Sequence, residues 1–559
     1  MQKLLVETAR YILYYMTMVV VLTVVFFIFG VQITVLNTLL PLVIVSVALI
    51  LKKGINNQEK ICILLLAVVI MIIAIMISSG VYEFSVDGNA YHKQAIGLLH
   101  DGWNPVYFVS NNYNSLIGSS QLSAEGPLFW SEVYPKATWY FAASVYSLVG
   151  NIEAGKSYTI LFAVVAFGYL YDFFAKKFQE KWRAFILALI ATANPIIFAQ
   201  FESYYLDGLV ASVLVLLMVS FIAEINAEGL IKDRGTMACL IVWGCNLKFS
   251  VILFVVTYCI VYICFRTFKF RKIDWKNILF LGGTGVFSSF IVGISPYLTN
   301  YKRYGNMFYG FIGLIDEEQM SKEYGVETLS RTGRFFSSIF AKMSGGNITS
   351  LRELLKVPFT VYDREFDMYY VTDTRAGGFG VFFSGLFVIS IVLIIIGIVK
   401  CWKCNHSDEF KLVFLLLIVN LIEMMVLPQT SQVRYIPQLY LCIPLAMVIL
   451  YKIDLSKKWI HVRSAINIFI VIMLFLNALP WMKIGMSRIN AGVITSATFK
   501  SMSNECSKNG KVYEVRYCND TYNGLDYNLK DFDINYYYNI DAQVDGSYGF
   551  TCNDMVRYK

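Results

Sequence analysis

Long apolar runs separated by short polar stretches recur along most of the chain. Most runs are about 20 residues long, which lets a helix cross a hydrocarbon layer of roughly 30 Å. The pattern predicts an all-α polytopic membrane protein with about thirteen transmembrane helices. The predicted spans are 11–29, 33–51, 61–79, 156–175, 184–200, 206–224, 236–249, 250–266, 277–295, 379–399, 411–428, 434–451 and 464–482.

Lys and Arg concentrate in alternate short connections between these runs. Because short cytoplasmic loops carry an excess of Lys and Arg, the pattern predicts a cytoplasmic N-terminus and an external C-terminal region. The apolar stretch 137–150 is too short for a span, so we expect an interfacial or re-entrant helix there. The basic connections are 52–60, 176–183, 232–234, 266–276, 400–411 and 452–463.

Three long polar regions then face the outside: the loops 80–155 and 296–378, and a Tyr-, Asn- and Asp-rich tail. We therefore divide the chain into a transmembrane domain, 1–482, and an external C-terminal region, 483–559. Transporters usually place their sites near the bilayer midplane. A protein with this much material on one face is predicted to do its chemistry there.

Composition narrows the class of protein further. The 559 residues are 57% hydrophobic and 15% charged, which excludes a soluble enzyme and a disordered chain. The net charge of +8 reflects orientation in the bilayer and predicts no nucleic-acid partner. The sequence thus predicts a multi-pass protein of the cell membrane. In the tail, two of Cys506, Cys518 and Cys552 could form a disulfide.

The segment Ser85–His92 follows the third apolar run and contains Asp87. One interpretation is that Asp87 caps the helix that follows. The other is that it serves as a general base at the membrane surface, where partial desolvation raises the pKa of a carboxyl group. His92 is a candidate substrate contact or an interfacial helix residue.

The second external turn contains Glu202, Tyr205 and Asp207. Asp207 could cap the next span, but two carboxylates at one bilayer edge also suggest a site that faces an acceptor. Glu202 and Tyr205 are candidate substrate contacts.

Two cations lie at the predicted outer ends of spans. Lys248 stands between two apolar runs, where it either snorkels to the surface or contacts a phosphate. Arg434, followed by Tyr435, either anchors the interface or binds an anionic lipid phosphate. Lys248, Arg434 and Tyr435 are therefore candidate substrate-binding residues.

In their order and side of the membrane, these segments resemble the GT-C superfamily of integral-membrane glycosyltransferases. The resemblance covers roughly 80–450 and is closest to protein O-mannosyltransferases and lipid A aminoarabinose transferases. The matching elements are Asp87, Tyr134-Pro135-Lys136, Asn151-x-Glu153-x-Gly155-Lys156, Asn194-Pro195 followed by Asp207, Pro296-Tyr297-x-x-Asn300 and Arg434-Tyr435-x-Pro437.

The resemblance implies a polyprenyl-phosphate sugar as donor and catalysis with inversion at the outer membrane face. Asp87 would act as the base, Asp207 would assist, and Lys248 and Arg434 would bind the donor phosphate. A divalent metal is possible but not predicted. Because the Asp-Glu pair of protein O-mannosyltransferases is missing after Asp87, a cell-surface glycan or lipid-linked saccharide is the preferred acceptor over protein.

Two other functions remain open. A polysaccharide polymerase or ligase that uses diphosphate-linked saccharides would depend on arginines of the second large loop. A lipid-linked sugar flippase would need charged residues along several spans, and Glu423 is one of few. The loop arginines are Arg331, Arg334, Arg352, Arg364 and Arg375.

Overall fold

The computed structural model describes most of the chain and is predominantly helical. The described residues are 1–107, 127–310, 321–346, 348–402, 408–428, 432–452, 457–517, 524–539, 546–550 and 553–558. Within these ranges, seven helices are long and apolar enough to cross a membrane. The protein is therefore a helical membrane protein. The count of thirteen spans and the cytoplasmic N-terminus stay predictions.

Within the described residues, the first third of the chain forms nine helices. They are α1 (Gln2–Ile28), α2 (Leu36–Leu51), α3 (Asn57–Ser79), α4 (Lys93–His100), α5 (Pro127–Val133), α6 (Ala137–Val149), α7 (Tyr158–Lys177), α8 (Lys181–Thr192) and α9 (Pro195–Ala199). A π-helical turn, Gly88–His92, precedes α4, and a 3₁₀ turn, Ile152–Ser157, precedes α7.

Twelve further helices lie in the described residues of the middle and last parts. They are α10 (Asp207–Glu224), α11 (Arg234–Leu247), α12 (Phe249–Phe270), α13 (Trp275–Phe287), α14 (Thr299–Tyr304), α15 (Arg331–Ile339), α16 (Leu351–Leu354), α17 (Phe383–Trp402), α18 (Asp408–Val426), α19 (Cys442–Lys452), α20 (Lys457–Asn509) and α21 (Leu525–Lys530). Two 3₁₀ turns, Val433–Tyr435 and Pro437–Leu441, lead into α19.

Every predicted span overlaps one of these helices, but the span at 184–200 is interrupted. Helix α8 ends at Thr192, and α9 begins at Pro195. Proline suits the first position of a helix but not its interior, and the Asn194 side chain accepts a hydrogen bond from the Ile196 N–H. The break turns the chain toward the site described below.

Helix α6 covers most of the stretch for which an interfacial or re-entrant helix is predicted. Its residues 137–146 are all buried inside the protein, where α6 packs on α1, α4 and the turn before α7. The side chains of Trp139 and Phe141 are at most 1% exposed. The short apolar stretch is thus a core helix that supports the loop around it.

The C-terminal region is not a separate tail. Helix α20 has 53 residues and runs through the predicted boundary at 482 without a break. Four short strands follow: β1 (Tyr513–Tyr517), β2 (Tyr536–Tyr538), β3 (Gly546–Phe550) and β4 (Asn553–Tyr558). They form a small sheet with the order β2-β1-β4-β3 in an otherwise predominantly helical protein. Strand β1 pairs parallel with β2 and antiparallel with β4.

Cys506 lies in this C-terminal region as a buried free thiol. Cys518 and Cys552 lie outside the described residues, so the disulfide stays a prediction. Tyr82, from the connection after α3, shares an apolar cluster with Phe499 and Val515. This cluster fixes the end of α20 and the sheet to the loop that follows α3.

The loops predicted to face the cytoplasm gather at one end of the helical bundle. Ion pairs link them there: Lys3 with Glu59, Arg10 with Asp233, Lys177 with Glu409, and Lys269 with Asp408. The candidate site residues lie at the other ends of the same helices. Which of the two ends faces the cytoplasm stays a prediction.

Candidate functional site

Residues from four distant segments meet at one end of the bundle. Asp87 follows α3, Asp207 begins α10, Lys248 separates α11 from α12, and Arg434 lies in the turn before α19. A fifth charged residue, Asp373, comes from the second large loop. We call these five residues the charge cluster.

Lys248 is the one extended residue between two helices, with φ −153° and ψ 144°. This backbone directs its Nζ atom to within 2.5 Å of Asp207 Oδ1. Lys248 therefore enters the cluster as one half of a closed ion pair with Asp207.

Asp207 does not cap α10, which was one interpretation of the sequence. Gln200 donates a hydrogen bond to Asp207 Oδ2 at 3.0 Å and accepts one from the Gly208 N–H at 3.0 Å. Because the Gln200 side chain accepts the hydrogen bond of the Gly208 N–H at the start of α10, the Asp207 carboxylate can pair with Lys248. Its side chain is only 3% exposed, so Asp207 is the most deeply buried acid of the cluster.

Arg434 lies between two carboxylates. Its Nη1 atom is 2.9 Å from Asp373 Oδ1 and 3.7 Å from Asp87 Oδ2. Its other nitrogens donate to Gln432 Oε1 at 3.1 Å and to the Tyr435 hydroxyl at 2.9 Å. The guanidinium group is thus held in one orientation with Nη1 directed at the two acids.

Asp373 was not a candidate from the sequence. It lies in the polar Thr372–Arg375 segment, which has no periodic pattern. In the structure Asp373 Oδ2 accepts a hydrogen bond from Arg375 Nε at 2.8 Å, and the Arg434 N–H donates to the Thr374 carbonyl at 3.3 Å. The only local signal was an acid two residues from an arginine in a large predicted external loop.

Asp87 is the most exposed acid of the cluster, with a third of its side-chain surface accessible. It does not cap the following turn, because Ser85 Oγ accepts the Gly88 N–H instead at 3.0 Å. Burial of the carboxyl group raises the pKa of Asp87; Arg434 opposes this rise and Asp373 adds to it. The carboxylate is therefore reachable from outside and more basic than an ordinary aspartate.

Tyrosine rings enclose the two cations. Lys248 Nζ lies 4.5 Å from the Tyr435 ring centroid, and Arg434 Cζ lies 4.9 Å from that centroid and 5.3 Å from the Tyr205 centroid. Cations prefer the negative face of an aromatic ring. Both predicted tyrosines therefore belong to the site as supports for its cations.

His92 lies behind the cluster rather than in it. Its side chain is buried, and Trp139 Nε1 donates a hydrogen bond to its Nδ1 atom at 2.7 Å. Burial, together with Lys248, lowers the pKa of His92 to about 3, so the ring is neutral. It packs 4.3 Å from the Tyr91 ring and supports that residue.

Glu202 is also separate from the cluster. Its backbone is left-handed, with φ 59°, and its buried carboxyl group lies in a region that contains Lys156, Glu153 and Glu83. Burial raises its pKa to about 7, and neither oxygen meets hydrogen-bond geometry within the described residues. Sequence proximity to Asp207 did not predict this separation, because the left-handed residue turns the chain between them.

A second charged group lies close by and is fully enclosed. Glu153 binds Lys93 at 2.7 Å through Oε1 and Lys156 at 2.6 Å through Oε2. Asn528 Nδ2 donates to Glu153 Oε1 at 2.8 Å, and the Tyr204 N–H donates to Glu83 Oε2 at 2.7 Å. We call these residues, Glu83, Lys93, Glu153, Lys156 and Asn528, the buried network.

The buried network fixes the C-terminal region to the loop that carries Asp87. The Gly524 N–H donates to the Asn89 carbonyl at 2.9 Å. A Cβ atom on Gly524 would lie 2.5 Å from that oxygen, so only glycine permits this approach. Helix α21 thus contacts the chain two residues after Asp87.

Within the described part of the chain, no group of three or more His, Cys, Asp and Glu side chains is placed to hold a metal ion. Cys404 and His406, which with Cys401 resemble half of a zinc site, lie outside the described residues. Searches of protein-family models, of curated proteins and of solved structures found no match for this chain. Fold and site together define a helical membrane protein with a partly open charge cluster at one end of its bundle.

Proposed function

We propose that the protein is a glycosyltransferase that moves a sugar from a polyprenyl-phosphate carrier to an acceptor at the outer face of the cell membrane. The observation that carries the proposal is the position of Arg434 Nη1, 3.7 Å from the partly exposed Asp87 carboxylate. A base and a phosphate-binding cation thereby lie side by side at the accessible edge of the charge cluster, where an acceptor hydroxyl and a donor phosphate could both be bound. A cell-surface glycan or lipid-linked saccharide is the preferred acceptor.

In the proposed reaction, Asp87 takes the proton of the acceptor hydroxyl as its oxygen attacks the sugar C1 atom. The bond between C1 and the phosphate oxygen breaks, and the phosphate keeps the electron pair. General-base assistance of this kind contributes about 10²–10⁴-fold to a rate. Attack opposite the leaving group inverts the configuration at C1.

Lys248 and Arg434 bind the phosphate and stabilise the charge that develops as it leaves. Because the pair Lys248–Asp207 is closed and Asp207 is only 3% exposed, Asp207 acts as a positioning residue rather than as a second base. Tyr205 and Tyr435 hold the two cations in place. Glu202 and His92 have no direct part in this scheme.

The first test is transfer of labelled sugar from a panel of polyprenyl-phosphate sugars by wild-type and Asp87→Asn protein, with a cell-envelope extract as acceptor. We expect the variant to lose transfer by about 10²–10⁴-fold because a carboxamide cannot take the proton. The variant should bind the donor at least as tightly as wild type, because a negative charge next to Arg434 is removed, and its thermal unfolding should match wild type. Asp367→Asn, an exposed acid of the second large loop, is the matched control and should transfer normally.

Equal transfer by wild type and Asp87→Asn would remove Asp87 from the mechanism. Transfer only from diphosphate-linked saccharides, with dependence on Arg331 or Arg352, would instead identify a polymerase or ligase. Movement of the carrier lipid across the bilayer without transfer would identify a flippase.

A further inference from the structure

Arg434 already has an anionic partner inside the protein. Its Nη1 atom lies 2.9 Å from Asp373 Oδ1, closer than it lies to Asp87. Lys248 is likewise paired with Asp207. The charge cluster therefore contains three carboxylates and two cations, and an incoming phosphate meets cations that are already neutralised.

Asp373 has a second cation to hold it when Arg434 binds a phosphate. Arg375 Nε donates to Asp373 Oδ2 at 2.8 Å, and Arg375 is itself paired with Glu323 at 3.3 Å. The side chains of Asp373 and Arg434 are 16% and 11% exposed, so water screens their interaction little. Asp373 thus remains close to a phosphate bound on Arg434.

The two phosphates that the site would hold differ in charge, a point that rests on the proposed function. The donor is a phosphodiester with one negative charge. When the C1–O bond breaks, the carrier becomes a monoester whose second pKa is about 6, so it carries nearly two negative charges above pH 7. A fixed negative charge nearby therefore disfavours the product more than the donor.

We propose that Asp373 is a specificity-determining residue that makes the site favour the singly charged donor and release the doubly charged carrier phosphate. It competes with both ligands for Arg434 and repels the product more strongly because the product carries the greater charge. Asp373 does not touch the reacting atoms in this scheme. It sets the ratio of product affinity to donor affinity.

The test measures direct binding of two probes to the purified full chain in detergent: a short-chain prenyl phosphate and its methyl ester, which keeps a single charge. At pH 8, we expect Asp373→Asn to bind the methyl ester about threefold more tightly and the free monoester about tenfold more tightly, since electrostatic energy scales with ligand charge. At pH 5 the monoester carries about one charge. The two gains should then become equal.

Three controls separate this effect from a structural one. Asp373→Glu keeps the charge and should retain the wild-type ratio of the two affinities. Asp367→Asn removes a charge from the exposed side of the same loop and should leave both affinities unchanged. Thermal unfolding of each variant shows whether it is folded.

Weaker binding of both probes by folded Asp373→Asn would mean that Asp373 only supports Arg434, and would overturn the proposal. Equal tightening of both probes at pH 8, or no change, would also overturn it. If the wild-type protein binds neither probe, or if Arg434→Gln binds both probes as tightly as wild type does, the proposed function fails instead. Binding and transfer by wild type with an unchanged ratio in Asp373→Asn would overturn the Asp373 proposal alone.

Discussion

The charge cluster and the buried network use the same kinds of side chains in opposite ways. In the buried network, Glu153, Lys93 and Lys156 are at most 1% exposed, and both Glu153 oxygens are bound by lysines. In the charge cluster, a third of the Asp87 side chain is exposed and its nearest cation is 3.7 Å away. The first arrangement is complete, and the second leaves interactions for a ligand to make.

This contrast predicts different consequences when a charged residue is substituted in each region. A buried ion pair that loses one partner leaves an uncompensated charge and strongly destabilises the fold. A partly exposed charge in a recess costs less to leave unpaired, because water reaches it. We therefore expect substitutions in the buried network to affect folding, and substitutions in the charge cluster to affect transfer.

The largest effect on stability is expected for Glu153→Gln. Since Lys93 and Lys156 would lose their shared anion, the variant should lose about 3–5 kcal/mol of stability, measured by denaturant or thermal unfolding in detergent. Glu59→Gln, which removes the exposed partner of Lys3, is the control and should unfold like wild type. A stable Glu153→Gln protein that has lost only transfer would break the distinction between the two regions.

A smaller effect, seen in transfer rather than in unfolding, is expected for Arg434→Gln. Loss of one donor that stabilises a developing charge costs about 10²–10³-fold in rate. Transfer assays and binding of the prenyl phosphate should both show the loss. Because Arg375 still pairs with Asp373, the unfolding transition should move less than it does in Glu153→Gln. Wild-type transfer by this variant would show that Arg434 does not contact the phosphate.

The smallest expected effect is a shift in the pH dependence of transfer. A base must be deprotonated, so the rate should fall as the pH drops through the raised pKa of Asp87. Because Asp373 raises this pKa and Arg434 lowers it, Asp373→Asn should move the acid limb to lower pH and Arg434→Gln should move it to higher pH. If wild type, Asp373→Asn and Arg434→Gln all show the same acid limb, the limb reports the titration of a group other than Asp87.

The helices and four of the charged residues could be predicted from the sequence for simple physical reasons. Apolar runs of span length form helices, and a charge at the end of such a run must face water, a ligand or a partner. Asp87, Asp207, Lys248 and Arg434 all occupy such positions. Their convergence follows from the ends of neighbouring helices meeting at one end of the bundle.

The remaining features depend on contacts that leave no local pattern. Asp373 reaches Arg434 from a loop without periodicity, and Glu202 leaves the cluster through one left-handed residue. The C-terminal sheet arises from Tyr-rich strands of three to six residues, too short to stand out in the sequence even where, as in β1, polar and apolar residues alternate. Hydropathy could not predict them, since it records burial in lipid rather than pairing between distant segments.

The attachment of the C-terminal region to the Asp87 loop has a consequence for how the protein is made. Lys93 donates a hydrogen bond to Asn528, a residue 435 positions later in the chain. A ribosome that adds about 5–20 residues per second needs roughly 20–90 s to cover that distance. The segment around Asp87 therefore leaves the ribosome long before its partner exists, and it reaches its final shape only after the bundle has been inserted.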